Sequence, residues 1–152
     1  MNWSREVYID YNRVNNKMNQ GYEYLVDKYN PKPDDVDNDH DEFLYKLLGK
    51  LNVKSFYHIG FNLGYSLINV SRLYPEIKVG GMTWFDGSVF YGNELFNFKD
   101  YNFDITIGEY PYKPINRRWD FIFLGRLPSK SNLGRVILDE ACNDTNKYVL
   151  FF

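Results

Sequence analysis

The sequence predicts an α/β domain: a mostly parallel five-stranded sheet with helices on both faces. Short runs rich in aromatic and branched residues alternate with stretches of helical period from residue 54 to the C-terminus. Parallel strands need such crossovers, so the alternation itself selects a parallel sheet. The 152 residues suit a single core, and 44% hydrophobic with 25% charged residues is the composition of a globular chain. Right-handed crossovers then give the strand order 3-2-1-4-5.

Each element has its own signal. In residues 5–29, Val7, Tyr11, Val14, Met18, Tyr22, Leu25 and Tyr29 recur at helical spacing. Pro31 and Pro33 end that pattern, and a second helix over 41–50 presents Phe43, Leu44, Leu47 and Leu48 on one face. Residues 1–50 thus read as an N-terminal helical extension and 51–152 as the core of one domain. Lys54–Ile59 is the first strand, and an apolar helix with Leu67, Ile68, Val70 and Leu73 follows, stopped by Pro75. Val79–Phe85, Phe103–Ile107, Trp119–Leu124 and Tyr148–Phe152 read as the remaining strands, with a helix over Ser131–Cys142. Gly80 and Gly81 weaken the second strand, and the connection 86–102 has the weakest pattern, with room for a short helix.

Composition limits the function classes. A net charge of −2 gives no global attraction to nucleic acid, which is not an expected partner. No apolar run reaches the ~20 residues of a membrane span, and the N-terminus MNWSREVYIDYNR lacks a signal-peptide core. Membrane is therefore not an expected partner, and the expected location is the cytoplasm, or a virion if the chain is an assembly component. Cys142 is the only cysteine, which excludes an intrachain disulfide and a cysteine-built zinc site; its apolar helical setting predicts a buried thiol. The acidic run Asp34, Asp35, Asp37, Asp39, Asp41, Glu42 fails as a calcium loop, because counting from Asp35 the glycine and glutamate positions hold His40 and Lys46. It reads as a solvated linker leading into a helix start, and no metal is expected. Aromatics reach 19%, more than a small core can hold, so some should lie on the surface; they favour contact with a partner or a homo-oligomer, or they reflect an AT-rich coding bias that raises Asn, Lys, Tyr and Phe together.

The segment that points to chemistry is FYHIGFNLGYS, Phe56–Ser66: a strand, a glycine-bearing turn and a helix. Glycine is needed there because the turn off the strand is tight and a ligand must reach the backbone unobstructed. The helix start then offers N–H groups to a polar ligand. HIGFNLGYS resembles the first motif of class I S-adenosylmethionine (SAM) methyltransferases, [DE]-x-G-x-x-x-G, and in particular a small-molecule O-methyltransferase-like subgroup written E-I-G-F-N-x-G-[HY]-S. Ile107-Gly108-Glu109 is similar to that family's third-strand motif, and WDFIFLG (Trp119–Gly125) to its fourth. Asn143–Phe152 stands where the family has a loop and its fifth strand. The resemblance implies a Rossmann-like fold that binds SAM, with Gly60, Phe61, Asn62, Gly64, Tyr65, Asp86 and Glu109 as the cofactor-binding candidates.

The sequence departs from the family where carboxylates are expected. His58 replaces the acid before the first glycine, and Thr83 stands at the end of the second strand, with Asp86 three residues on as a substitute. Gly125 and Arg126 occupy the place where metal-dependent members carry an Asp. Each lost charged hydrogen bond costs about 1.5–3 kcal/mol. The chain also stops after the fifth strand, whereas full-length relatives add an antiparallel pair.

Two functions follow. The first is a SAM-binding methyltransferase in which the protein positions a nucleophile near the methyl group; no catalytic base can be named. The second is a non-catalytic structural or assembly protein, such as a viral or phage particle component. The run YVLFF (Tyr148–Phe152) has no gatekeeping Lys or Pro within Val149–Phe152. An open strand edge there predicts a homo-oligomer or a larger assembly.

Overall fold

A computed structural model of the chain describes residues 39–61, 64–84, 86–125 and 132–151. The helix expected over 5–29, the linker after it, Asn62 and Arg126 lie outside the described residues. The order is α1 (Asp39–Lys50), β1 (Ser55–Ile59), α2 (Tyr65–Leu73), β2 (Lys78–Thr83), α3 (Asp86–Phe96), a 3₁₀ turn (Phe98–Asp100), β3 (Asp104–Ile107), β4 (Trp119–Gly125), α4 (Leu133–Asp144) and β5 (Thr145–Phe151). All five strands are parallel, in the order β3-β2-β1-β4-β5. The expected sheet is therefore present, with β1 at its centre.

One face of the sheet is filled by Phe56, Phe121 and Phe123 packing under Leu44 and Leu48 of α1 and Leu67, Ile68 and Val70 of α2. The helical periodicity of these residues is what puts them on one side. On the other face Tyr57, Met82, Trp119, Ile122 and Leu124 meet Ala141 of α4 and Tyr110 of the β3–β4 connection. That connection, residues 108–118, contains no helix. It is pinned to α4 by the Tyr110 hydroxyl, which donates to Asp144 Oδ2 at 2.7 Å.

The glycines in β2 find a use that compensates their low strand preference. A Cβ on Gly80 would lie 2.7 Å from Cη2 of Trp119, and one on Gly81 would lie 2.6 Å from Cδ1 of Phe61. Each glycine makes room for an aromatic ring, one per face.

Several expected boundaries move. β2 stops at Thr83 rather than Phe85, and 86–102 holds the full helix α3 as well as the 3₁₀ turn. β5 begins three residues before Tyr148, because polar Thr145 is held by its hydroxyl, which donates to Trp119 O at 3.0 Å. The strand is at the edge of the described sheet and is partly covered on each face, Leu150 meeting one core cluster and Val149 the other, while Tyr148 and Phe151 are exposed. Cys142 is exposed rather than buried. The face of α4 turned to the sheet carries Gly134, Ile137, Leu138 and Ala141, and the next residue, Cys142, is rotated about 100° away. No helix among the described residues is long and apolar enough to cross a membrane.

Candidate functional site

In an open α/β sheet the ligand crevice forms at the carboxyl ends of the strands, where the chain reverses direction across the sheet. Here the reversal falls between β1 and β4. Gly60 follows β1 and Gly125 ends β4, and both have positive φ, +80° and +63°. Among the described residues nothing lies within 4 Å of the position a Cβ would take at either glycine. Two bare backbone segments thus flank the switch point, a cradle that side chains would fill. Gly125 was read from sequence only as a missing acid; its distance from the other described residues depends on the spatial arrangement and has no sequence signal.

Gly64 closes the same turn with φ +84°, but for another reason. A Cβ there would come within 2.2 Å of Cζ of Phe98, which is buried in the core. The turn is tightened by Gly64 N–H donating to Phe61 O at 2.9 Å, and Gly60 N–H is tied to Met82 O at 2.7 Å. The ring of Phe61 is only 3% exposed, packed over Gly81 and edge-on to Phe98. The ring of Tyr65 is likewise in the core. Phe61 and Tyr65 can therefore meet a ligand through backbone groups, not through their rings.

His58 lies one residue before the end of β1. Its ring packs against Phe123 of β4, with centroids 4.5 Å apart, and Nδ1 is hydrogen-bonded to Ser66 Oγ at 2.5 Å. Burial lowers its pKa from the usual 6.5 to about 3, so the imidazole is neutral at physiological pH. At the end of β2, Thr83 is buried and its hydroxyl donates to Ser88 Oγ of α3 at 3.2 Å. Both positions where the family resemblance expects a carboxylate are occupied by neutral groups bonded inward.

The remaining candidates stand at the rim. Asp86 is exposed in the first turn of α3, where it complements the helix dipole. Glu109 is exposed beyond β3, and Gly108 N–H joins that end to Thr83 O at 2.8 Å. Sequence reasoning passed over Trp84, which is 74% exposed at the end of β2, beside Ile107, 50% exposed at the end of β3. Ile107 pairs with Thr83, and Trp84 follows Thr83 at the end of the neighbouring strand. No group of three His, Cys, Asp or Glu side chains among the described residues could hold a metal ion.

No family model matches the sequence, and no curated protein is similar to it. Solved structures are similar to its fold. A caffeoyl-CoA O-methyltransferase from Staphylococcus aureus, described as putative in its own naming, aligns at TM-score 0.64 and 16% identity over 95% of this chain and 71% of that one. The O-methyltransferase of a trans-AT polyketide synthase from Brevibacillus brevis, in complex with S-adenosyl-L-homocysteine, aligns at TM-score 0.61 and 20% identity, covering 72% and 39%. Coclaurine N-methyltransferase bound to N-methylheliamine and S-adenosylhomocysteine aligns at TM-score 0.63 and 13% identity, covering 99% and 51%. The chain has the Rossmann-like fold of class I SAM-dependent methyltransferases. It spans 39% and 51% of the length of the latter two proteins.

Proposed function

We propose that the chain binds SAM across Gly60–Gly64, with the adenine toward Glu109, and presents it for methyl transfer. The observation that carries this reading is the cradle: no described residue lies within 4 Å of the Cβ position of Gly60 or Gly125, which flank the switch point. Asn62 belongs to the same assigned turn but lies outside the described residues. Trp84 and Ile107 each expose apolar surface at the ends of β2 and β3, and Glu109 adds a carboxylate able to accept from a purine amino group. Tyr65 and Ser66 begin α2, so the site also includes the first-turn N–H groups of a helix. Bound SAM would supply an electrophilic methyl group, and the chain's part is to orient it and exclude water, as positioning alone provides much of such a rate enhancement. The proposal extends to a small-molecule O-methyltransferase-like assignment and assigns no methyl acceptor. Isothermal titration with SAM and S-adenosylhomocysteine tests it: Gly60→Val should abolish binding while far-UV circular dichroism stays unchanged. Undiminished binding to that variant would overturn the site assignment.

A second reading is favoured by β5. It is the last strand of the sheet, with Tyr148 41% and Phe151 45% exposed beside an edge that pairs with no described strand. Exposed apolar edges are normally covered. On this reading the chain is a non-catalytic assembly component, in the cytoplasm or in a virion, forming a homo-oligomer or larger assembly near residues 148–152. Sedimentation at micromolar concentration tests it. A monomer whose state is unchanged by Phe151→Glu counts against the contact.

A further inference from the structure

We infer that the amino end of the sheet is a cationic docking surface whose partner is the acidic run, residues 34–42, of a second copy of this chain. The contact is distinct from the SAM site and from the β5 edge and depends on neither. Strands β1, β4 and β5 are parallel neighbours, so their amino ends lie side by side. Lys54 precedes β1, Arg117 and Arg118 precede β4, and Lys147 is the third residue of β5; all four are exposed.

Three of these cations are held in place by neutral groups. Arg118 Nη2 donates to Thr145 O at 3.1 Å, and Lys147 Nζ donates to Asn52 O at 2.7 Å. The Arg117 guanidinium lies over the Trp119 ring, 4.5 Å from its centroid. A carbonyl or a ring fixes such a side chain and leaves its net charge in place. Asp120, a carboxylate at the same end, is engaged by other donors: Oδ2 accepts from Lys54 N–H at 2.8 Å and Oδ1 from Asn146 Nδ2 at 3.3 Å. Among the described residues no carboxylate lies within ion-pair distance of the four side chains. Side chains already anchored lose little freedom on meeting an anion, which lowers the cost of association.

The chain carries a matching partner in Asp34, Asp35, Asp37, Asp39, Asp41 and Glu42, six acids within nine residues. The last three of them fall in the first turn of α1, whereas its last turn leads through residues 51–54 into β1 at the cationic end. Twelve helical residues span ~18 Å, so the two charge clusters of one molecule stand at opposite ends of α1. Two copies laid side by side in opposite directions satisfy both contacts at once, a reciprocal and closed arrangement. A net charge of −2 sets up only weak repulsion between whole molecules.

Sedimentation velocity of the full chain at micromolar concentration tests this, with circular dichroism to confirm that each variant is folded. Wild type should dimerise at ~0.05 M salt and lose at least ~10-fold in association at ~0.5 M, because exposed charges are screened. Association through the apolar β5 edge would instead hold or strengthen with added salt. Arg118→Glu with Lys147→Glu should be monomeric at low salt, and so should Asp35→Lys with Asp37→Lys. Mixing the two variants, whose charges are then complementary, should restore a dimer. A monomeric wild type, association indifferent to salt, or a mixture that stays monomeric would each overturn the contact. The salt series on wild type decides the matter even if a charge-reversed variant fails to fold.

Discussion

Gly60 and Gly64 end the same turn with nearly the same backbone, φ +80° and +84°, yet their surroundings differ completely. Gly64 faces the core, where Phe98 fills the space a side chain would need; at Gly60 no described residue comes within 4 Å of that space. One glycine is required by packing as well as by conformation, the other by conformation and whatever approaches from outside. Folding and ligand binding can thus be perturbed separately within a few residues of chain.

The largest effect should come from Gly64→Val. The clash with Phe98 adds to the strain of a branched residue at positive φ, for a loss of at least about 3 kcal/mol. Thermal melts should show a fall of about 10 °C. A melt within about 2 °C of wild type would mean that Phe98 yields, and the contrast between the two glycines would collapse.

His58, on the strand leading into the turn, should produce the next largest effect, and only in acid. Its folded pKa of about 3 lies below the ordinary 6.5, so the unfolded chain binds the proton more readily. The stability linked to this group is complete above pH ~6.5 and is lost as pH falls from there toward 3. Each pH unit inside that window removes up to about 1.4 kcal/mol, hence about 2 kcal/mol between pH 6.5 and 5. Urea unfolding at pH 7 and pH 5 should show this loss in wild type and a smaller one in His58→Gln. Equal losses would show that the imidazole is not held neutral.

Gly60→Ala should cost about 1–2 kcal/mol, from backbone strain alone. Measured by urea unfolding, it should be milder than Gly64→Ala. The reverse order would place the crowding at the wrong end of the turn. The smallest effect belongs to the opposite face of the sheet. The Tyr57 hydroxyl is buried without a hydrogen-bond partner among the described residues; Thr106 is nearby but makes no well-formed bond. Burial pushes its pKa up to about 12. Tyr57→Phe removes an unsatisfied group and should leave stability unchanged or raise it by up to about 1 kcal/mol. A clear loss in the urea midpoint would reveal a partner for that oxygen.

What could be read in the sequence was whatever depends on local pattern. The apolar runs of β1 and β4 and the glycine-bearing turn carry their signal within a few residues, so the sheet order and Gly60 were legible. β5 was read too short because Thr145, Asn146 and Lys147 look like loop; tertiary bonds recruit them, among them Lys147 Nζ donating to Asn52 O at 2.7 Å. Helix α3 was hidden by Gly92, which is small because Phe98 lies against it. In the site, Phe61 and Tyr65 were legible as members of the turn, but the inward direction of their rings was not. Trp84 and Gly125 gain their meaning only from neighbouring strand ends, which no local pattern reports.

The paired glycines of β2 bear on the order of assembly. Val79 and Met82 are the strand's main apolar side chains, and the middle of the strand is covered by Phe61 and Trp119, residues distant in sequence. Such a segment has little reason to dock early in folding, because its cover must be delivered by β4 and by the turn after β1. Closing those long loops carries an entropic cost that is recovered only when the rings arrive. β2 should therefore join the sheet late, as a plank clamped between two rings, and its amides should exchange with solvent when it parts from its neighbours β1 and β3.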